Sequence, residues 1–190
     1  MLLAEPAPMT VEQFFALPPD DAVERWLIDG ELRERPAMPY RNRYHCRAMT
    51  RIAAELDNWS AAQPQLGGTV LTGDAGFRIP GEPTTLFGLD VAYVDAGTIA
   101  KTPANSTMVF GVPVLAVEIM SPSDTLEHIK EKLGKLLAAG TPLVWILDTY
   151  DRTVIAYRPN CEPRFFAASM ELDAEPLLPG FRASVGKLFE

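Results

Sequence analysis

Phe87-Gly88-Leu89-Asp90-Val91-Ala92-Tyr93-Val94 and Val112-Pro113-Val114-Leu115-Ala116-Val117-Glu118-Ile119-Met120 are the two runs on which the fold turns. Both lie within the stretch 86–124. Each is short, rich in Val, Leu, Ile, Ala or Tyr, and bounded by turn residues such as Gly88, Pro103 and Pro113, so each predicts a β-strand. A strand that is apolar almost throughout is covered on both faces. A carboxylate inside it is costly to desolvate unless it is paired or bound to a metal. Asp90 stands at the centre of the first run, and Glu118 near the end of the second, 28 residues later. Two such acids on two strands suggest one shared divalent-metal site. For either acid taken alone, a solvated or capping role at a strand end is the plainer account.

The residues after Glu118 favour the shared site. Ser121-Pro122-Ser123-Asp124 ends the strand and supplies cap residues for a helix. That helix carries an apolar stripe at Leu126, Ile129, Leu133, Leu136 and Leu137. Lys130 and Lys132 flank the stripe, whereas Lys135 points away from it toward solvent. A lysine on the border of a packed helix can reach over the sheet edge toward Glu118. Asp, Glu and Lys together are the composition of a phosphodiester site built on a hard divalent cation, with an ammonium near the phosphate or the attacking water.

The run PVLAVEIMSPSD (113–124), then Lys132 and Gly140 in the helix and PLVWILD (142–148), resembles the Uma2 family (DUF820) of the PD-(D/E)XK nuclease-like superfamily. The resemblance extends through RWLIDGELRE (25–34), the helix containing His45, GDAGFRI (73–79) and the C-terminal LPGF and LFE, so it spans almost the whole chain. It implies an α/β fold of restriction-endonuclease type, a mixed central sheet flanked by helices. It also implies that Asp90 and Glu118 bind Mg²⁺ or Mn²⁺ and that Lys132, eight residues before Gly140, completes the catalytic set. His45 and Glu31, with Glu24 as the neighbouring choice, become accessory candidates. The reaction implied is hydrolysis of phosphodiester bonds in nucleic acid, DNA first, by an endonuclease, with a homodimer as the expected assembly. Three positions depart from the family pattern. Leu89 replaces the proline before the acid, Met120 stands where the superfamily has its lysine, and Trp26 replaces a glutamate before Asp-Gly-Glu-Leu. These departures, with the acidic balance, leave two alternatives open: a non-catalytic nucleic-acid-binding or dimeric scaffold that keeps the fold, and a metal-dependent phosphohydrolase of a small substrate.

At 190 residues, 47% hydrophobic and 22% charged, the chain suits one domain, 1–190, with a sizeable core. No apolar run is long enough to span a bilayer, and MLLAEPAPMT lacks the basic start and apolar stretch of a signal peptide. Cys46 and Cys161 form neither a metal-ligand pair nor a disulfide framework, so a cytoplasmic setting is expected. The net charge of −8 argues in part against a nucleic-acid partner. Its distribution softens the point: residues 33–51 carry +5 and the remainder −13. Within the basic segment, Arg43, Arg47 and Arg51 form an i, i+4, i+8 row, readable either as a phosphate-binding face or as a solvated one.

The rest of the chain reads in order. Thr10 caps a helix over Val11 to Leu17, and Asp29-Gly30 turns a hairpin within Trp26 to Glu34. A long helix runs from Arg41 to about Ser60 with His45, Met49, Ile52, Leu56 and Trp59 facing inward. A lone histidine on such a face is more often a satisfied core residue, and His128 is expected to be exposed. A strand covers 69–79, the segment 96–111 is variable, and further strands are expected at 143–147, 153–157 and 165–168.

Overall fold

The computed structural model describes residues 7–38, 40–121 and 124–190. Helix α1 (Val11–Phe15) opens with a capping box in which the Gln13 N–H donates to the Thr10 hydroxyl and the Thr10 N–H to the Gln13 side chain. Strands β1 (Val23–Ile28) and β2 (Glu31–Pro36) form the expected hairpin. Asp29 and Gly30 both adopt positive φ, +51° and +74°, as a two-residue turn between twisted strands requires. A side chain on Gly30 would also fall 2.5 Å from Pro8 Cβ. Helix α2 (Arg43–Ala61) is capped by Asn42 and buries His45, Ala48, Ile52, Leu56 and Trp59. Met49 is half-buried at the edge of the same core.

Strands β3 (Thr69–Ile79) and β4 (Thr85–Val94) pair antiparallel along nearly their whole length. Their register breaks between Thr72 and Ala75, where Gly73 and Asp74 bulge out of β3 with φ of +84° and +59°. Asp90 lies opposite this bulge. The segment read as variable contains helix α3 (Ala96–Lys101) and the short strand β5 (Val109–Phe110), which pairs parallel with β3. Strand β6 (Leu115–Met120), helix α4 (Leu126–Ala138) and strand β7 (Leu143–Asp148) come next, and β6 and β7 are parallel.

The start of α4 differs from expectation. Thr125 is its N-cap, accepting the His128 N–H, while Pro122 and Ser123 lie outside the described residues. Leu126, placed on the apolar stripe, is 68% exposed, because the first turn of the helix precedes its contact with the sheet. The end of α4 is sharply defined. Gly140, at φ +99°, donates its N–H to the Leu137 carbonyl, and the Thr141 N–H bonds to Leu136 O. This Schellman geometry stops the helix in a fixed phase relative to β7.

Strands β8 (Thr153–Tyr157) and β9 (Arg164–Phe166) extend the sheet to its far edge. Beyond them, β10 (Glu171–Asp173) and β11 (Arg182–Ser184) form a separate two-stranded ribbon and α5 (Val185–Leu188) closes the chain. The large sheet runs β2-β1-β4-β6-β7-β8-β9, with β3 and β5 branching from β4. Its faces bury separate cores. Helices α2 and α5 cover one, with Ile52, Leu56, Trp145 and Phe181 inside; α4 covers the other, with Phe77, Leu89 and Leu136 inside. Leu89 belongs to the α4 side and Val91 to the α2 side, so the alternation of β4 slips at Asp90. That irregularity lets Asp90 be approached from both layers.

Candidate active site

Asp90 and Glu118 meet across the β4–β6 ladder. Val91 pairs with Val117, and the two acids are next in line on the antiparallel register. They line a single cavity of about 350 Å³, bounded by the β1–β2 hairpin, the β3 bulge, β4, β6 and α4. Asp90 is 5% exposed. Its Oδ2 accepts the Ile119 N–H at 2.7 Å and lies 3.3 Å from His45 Nε2. Lys132, two turns before the end of α4, brings its Nζ to 2.7 Å from Glu118 Oε1 and lies over the Phe87 ring. The Lys132 ammonium is the charged partner of this oxygen, which is otherwise buried.

The two carboxyls are held in opposite protonation regimes. Burial pushes Asp90 up, but the His45 bond and charge, the Ile119 N–H and the Lys132 charge outweigh it and hold its pKa below the usual range. Burial dominates at Glu118. Lys132 opposes it, the nearby Asp90 charge reinforces it, and the pKa rises to about 7. At His45 burial works against the charged ring, and the Asp90 carboxylate more than compensates, raising its pKa.

The structure brings Asp90, Glu118, Lys132 and His45 to one place, and it separates the other sequence candidates from them. Glu31 stays outside the cavity, 70% exposed and paired with Arg33 at 2.7 Å, because it sits at the turn end of the outer strand β2. Glu24, on β1, lines the cavity in its stead. Arg43, Arg47 and Arg51 are exposed, and none of them lines the cavity. Two residues either side of His45 along a helix is about 200°, which turns Arg43 and Arg47 away from the inward face. Arg43 stacks on Tyr44 and Arg47 bonds to the Glu190 carbonyl. The arginines of the cavity are Arg25, Arg35 and Arg41. Lys135 does not stand in solvent but pairs with Asp29 at the hairpin turn. His128 is half-buried rather than exposed: it lines the cavity and meets Trp26 edge-on, ring centroids 5.7 Å apart. Asp74, Asp124 and Glu131 also line the cavity; the sequence marked Asp124 only as a cap residue and singled out neither Asp74, which arrives on the bulge, nor Glu131, which arrives with α4.

Among the described residues no three His, Cys, Asp or Glu side chains form a ready metal cluster. The donor set nonetheless fits Mg²⁺ or Mn²⁺. Mg²⁺ keeps several waters and takes one or two protein carboxylates together with substrate oxygens. Asp90 and Glu118 supply two such carboxylates on the cavity wall. The lining carries six acids (Glu24, Asp74, Asp90, Glu118, Asp124, Glu131) against four bases (Arg25, Arg35, Arg41, Lys132), a formal −2 with both histidines neutral. One divalent cation offsets that deficit.

Comparison with known proteins agrees with this architecture. A crystal structure described as a putative nuclease belonging to DUF820, from Anabaena variabilis, superposes with a TM-score of 0.78 at 19% identity, covering 96% of this chain and 98% of that one. At that identity the likeness establishes the fold. No curated protein matches the sequence. The family Uma2, described as "Putative restriction endonuclease", matches residues 11–186, and the chain therefore belongs to the Uma2 family.

Proposed function

We propose that this protein is a divalent-metal-dependent endonuclease hydrolysing phosphodiester bonds in nucleic acid, DNA first. The observation that carries this reading is the meeting of Asp90, Glu118 and Lys132 in one recessed cavity. Mg²⁺ or Mn²⁺, when bound, supplies Lewis-acid polarisation of the phosphoryl oxygen and a more acidic water. Asp90 and Glu118 are the residues to hold it. Asp90 is kept ionised and fixed in orientation by His45 and the Ile119 N–H, a role in which a neighbouring group orients a ligand. Lys132 places a positive charge beside Glu118, where it orients a water or offsets charge developing on phosphate. The proposal includes a homodimer, which would set one such site against each strand of a duplex.

The test is incubation with supercoiled plasmid, single-stranded DNA and RNA in Mg²⁺, Mn²⁺ or EDTA. Cleavage that requires metal and disappears in Asp90→Ala and Glu118→Ala is the expected result. Cleavage that persists in EDTA, or in both variants, refutes it. A second reading, hydrolysis of a small phosphodiester, is favoured by one observation: the exposed arginine row lies off the cavity and the lining is net negative. Turnover of bis(p-nitrophenyl) phosphate with no cleavage of any polymer would select it.

A further inference from the structure

Glu24 occupies an unusual position for an acid in a cavity that must receive a polyanion. Its carboxylate bridges two guanidinium groups. Oε2 accepts from Arg35 Nε at 2.6 Å, and Oε1 lies 3.6 Å from Arg41 Nη2. All three side chains line the cavity that contains Asp90 and Glu118, and they remain 25–31% exposed. Arg35 also donates to Asp124 at 2.8 Å, and Arg41 to Asp74. Asp124 has a further hold, the Ser121 N–H at 2.8 Å. The Glu24 carboxylate has only the two arginines among the described contacts.

Two convergent guanidiniums bridged by one oxyanion make the geometry in which arginine binds phosphate, since the planar fork matches carboxylate and phosphate oxygens alike. The charge of the lining adds a second, independent reason. One divalent cation brings the lining only to neutrality, so a phosphate arriving there meets no net attraction while Glu24 holds the arginines. Moving Glu24 into solvent takes one negative charge out of the lining, while Arg35 keeps Asp124 and Arg41 keeps Asp74. We propose that Arg35 and Arg41 bind a substrate phosphate adjoining the scissile one, and that Glu24 is a carboxylate stand-in which this phosphate displaces. The inference rests on the phosphodiesterase reading and assigns its substrate-binding residues. It also gives Glu24 a role opposite to that of an accessory metal ligand.

Binding of a fluorescein-labelled single-stranded DNA dodecamer, measured by anisotropy in EDTA at low ionic strength, tests it without turnover. Inorganic pyrophosphate serves as competitor, and thermal melts confirm that each variant is folded. Glu24→Gln is expected to bind about tenfold tighter, and Arg35→Gln and Arg41→Gln about tenfold weaker, the scale of one charge-assisted hydrogen bond. Arg35→Lys keeps the charge without the fork and is expected to weaken binding as well, which covers the case in which Arg35→Gln does not fold. Equal or weaker binding by Glu24→Gln overturns the inference. So does a loss of Mn²⁺ affinity in that variant, read by electron paramagnetic resonance, which would make Glu24 a metal ligand. The two readings fail separately. Affinities that follow the expected order without metal-dependent cleavage sink the nuclease assignment alone, whereas cleavage with unchanged affinities sinks the arginine site alone.

Discussion

Burial of Glu118 costs stability in a way that depends on pH. With a folded pKa of about 7 against an ordinary 4.5, it is protonated in both states below pH 4.5 and adds no penalty there. Between 4.5 and 7 the unfolded chain gives up the proton first, so stability falls as pH rises, and above 7 the cost is complete. A shift of that size corresponds to about 3 kcal/mol. Glu118→Gln escapes the cost but leaves Lys132 without its partner. The metal-free variant should therefore be more stable than wild type by about 1–2 kcal/mol at pH 8, with the gain vanishing below pH 4.5. Urea melts across pH would decide this; a constant difference at every pH contradicts the account. His45 is the complementary case. Its ring is 1% exposed and serves Asp90, so His45→Phe leaves a buried carboxylate short of a partner. A loss of about 1–3 kcal/mol is expected, larger than for a surface histidine. An unchanged melting temperature would mean that the contact carries no energy.

Helix α4 shows how an element's phase decides which lysine reaches Glu118. The turn at Gly140 stops the helix, and counting back from it brings Lys132 over Glu118 while Lys130 is exposed and Lys135 faces the hairpin. Under the proposed function, Lys132→Ala should lose on the order of 10²–10³ in cleavage rate with its fold intact. Lys130→Ala should leave the rate unchanged, and the reverse pattern would show that the helix sits in another phase. The apolar stripe narrowed the choice to Lys130 or Lys132, the family resemblance pointed to Lys132, and the stripe misplaced Lys135, which pairs with Asp29. The neighbouring element was less legible. The same kind of count on α2 found the inward His45 but said nothing about whether the opposite face, with Arg43, Arg47 and Arg51, borders the cavity. It does not. Glu31 was misplaced for a related reason: strand alternation assigns a face, but the distance from the cavity depends on which strand is outermost.

For the molecule as a whole, charge balance governs how a polyanion is met. Residues 33–51 read as a +5 segment, yet Arg33, Arg35 and Arg41 are spent on Glu31 and Glu131, Glu24 and Asp124, and Asp74. Several of these pairs tie the β1–β2 hairpin to α4 or to the loop before it, closing one side of the cavity. A net charge of −8 provides no long-range steering toward nucleic acid. Binding through two arginines predicts a shallow salt dependence. The slope of log K against log salt should be about −0.7 for a single strand, since both arginines are assigned to one phosphate. Arg35→Gln should flatten it further. The triple Arg43, Arg47, Arg51→Ala variant should leave slope and affinity unchanged, and a fall in either would return that row to the binding surface.

By itself the sequence determined the order of the principal elements, the strand positions of Asp90 and Glu118, and the apolar stripe that Lys130 and Lys132 flank. Each of these is written in short-range periodicity, caps and turn residues, which act over a few positions. The tertiary structure alone decided that Glu24 rather than Glu31 enters the cavity, and that Arg25, Arg35 and Arg41 line it in place of Arg43, Arg47 and Arg51. It also decided that His128 packs on Trp26 and that Asp74 arrives on a bulge of β3. Those outcomes depend on how the hairpin leans on α4 and where β3 slips against β4. Contacts between residues far apart in the chain set both, as the Arg33–Glu131 pair across 98 residues illustrates, and no local pattern encodes them.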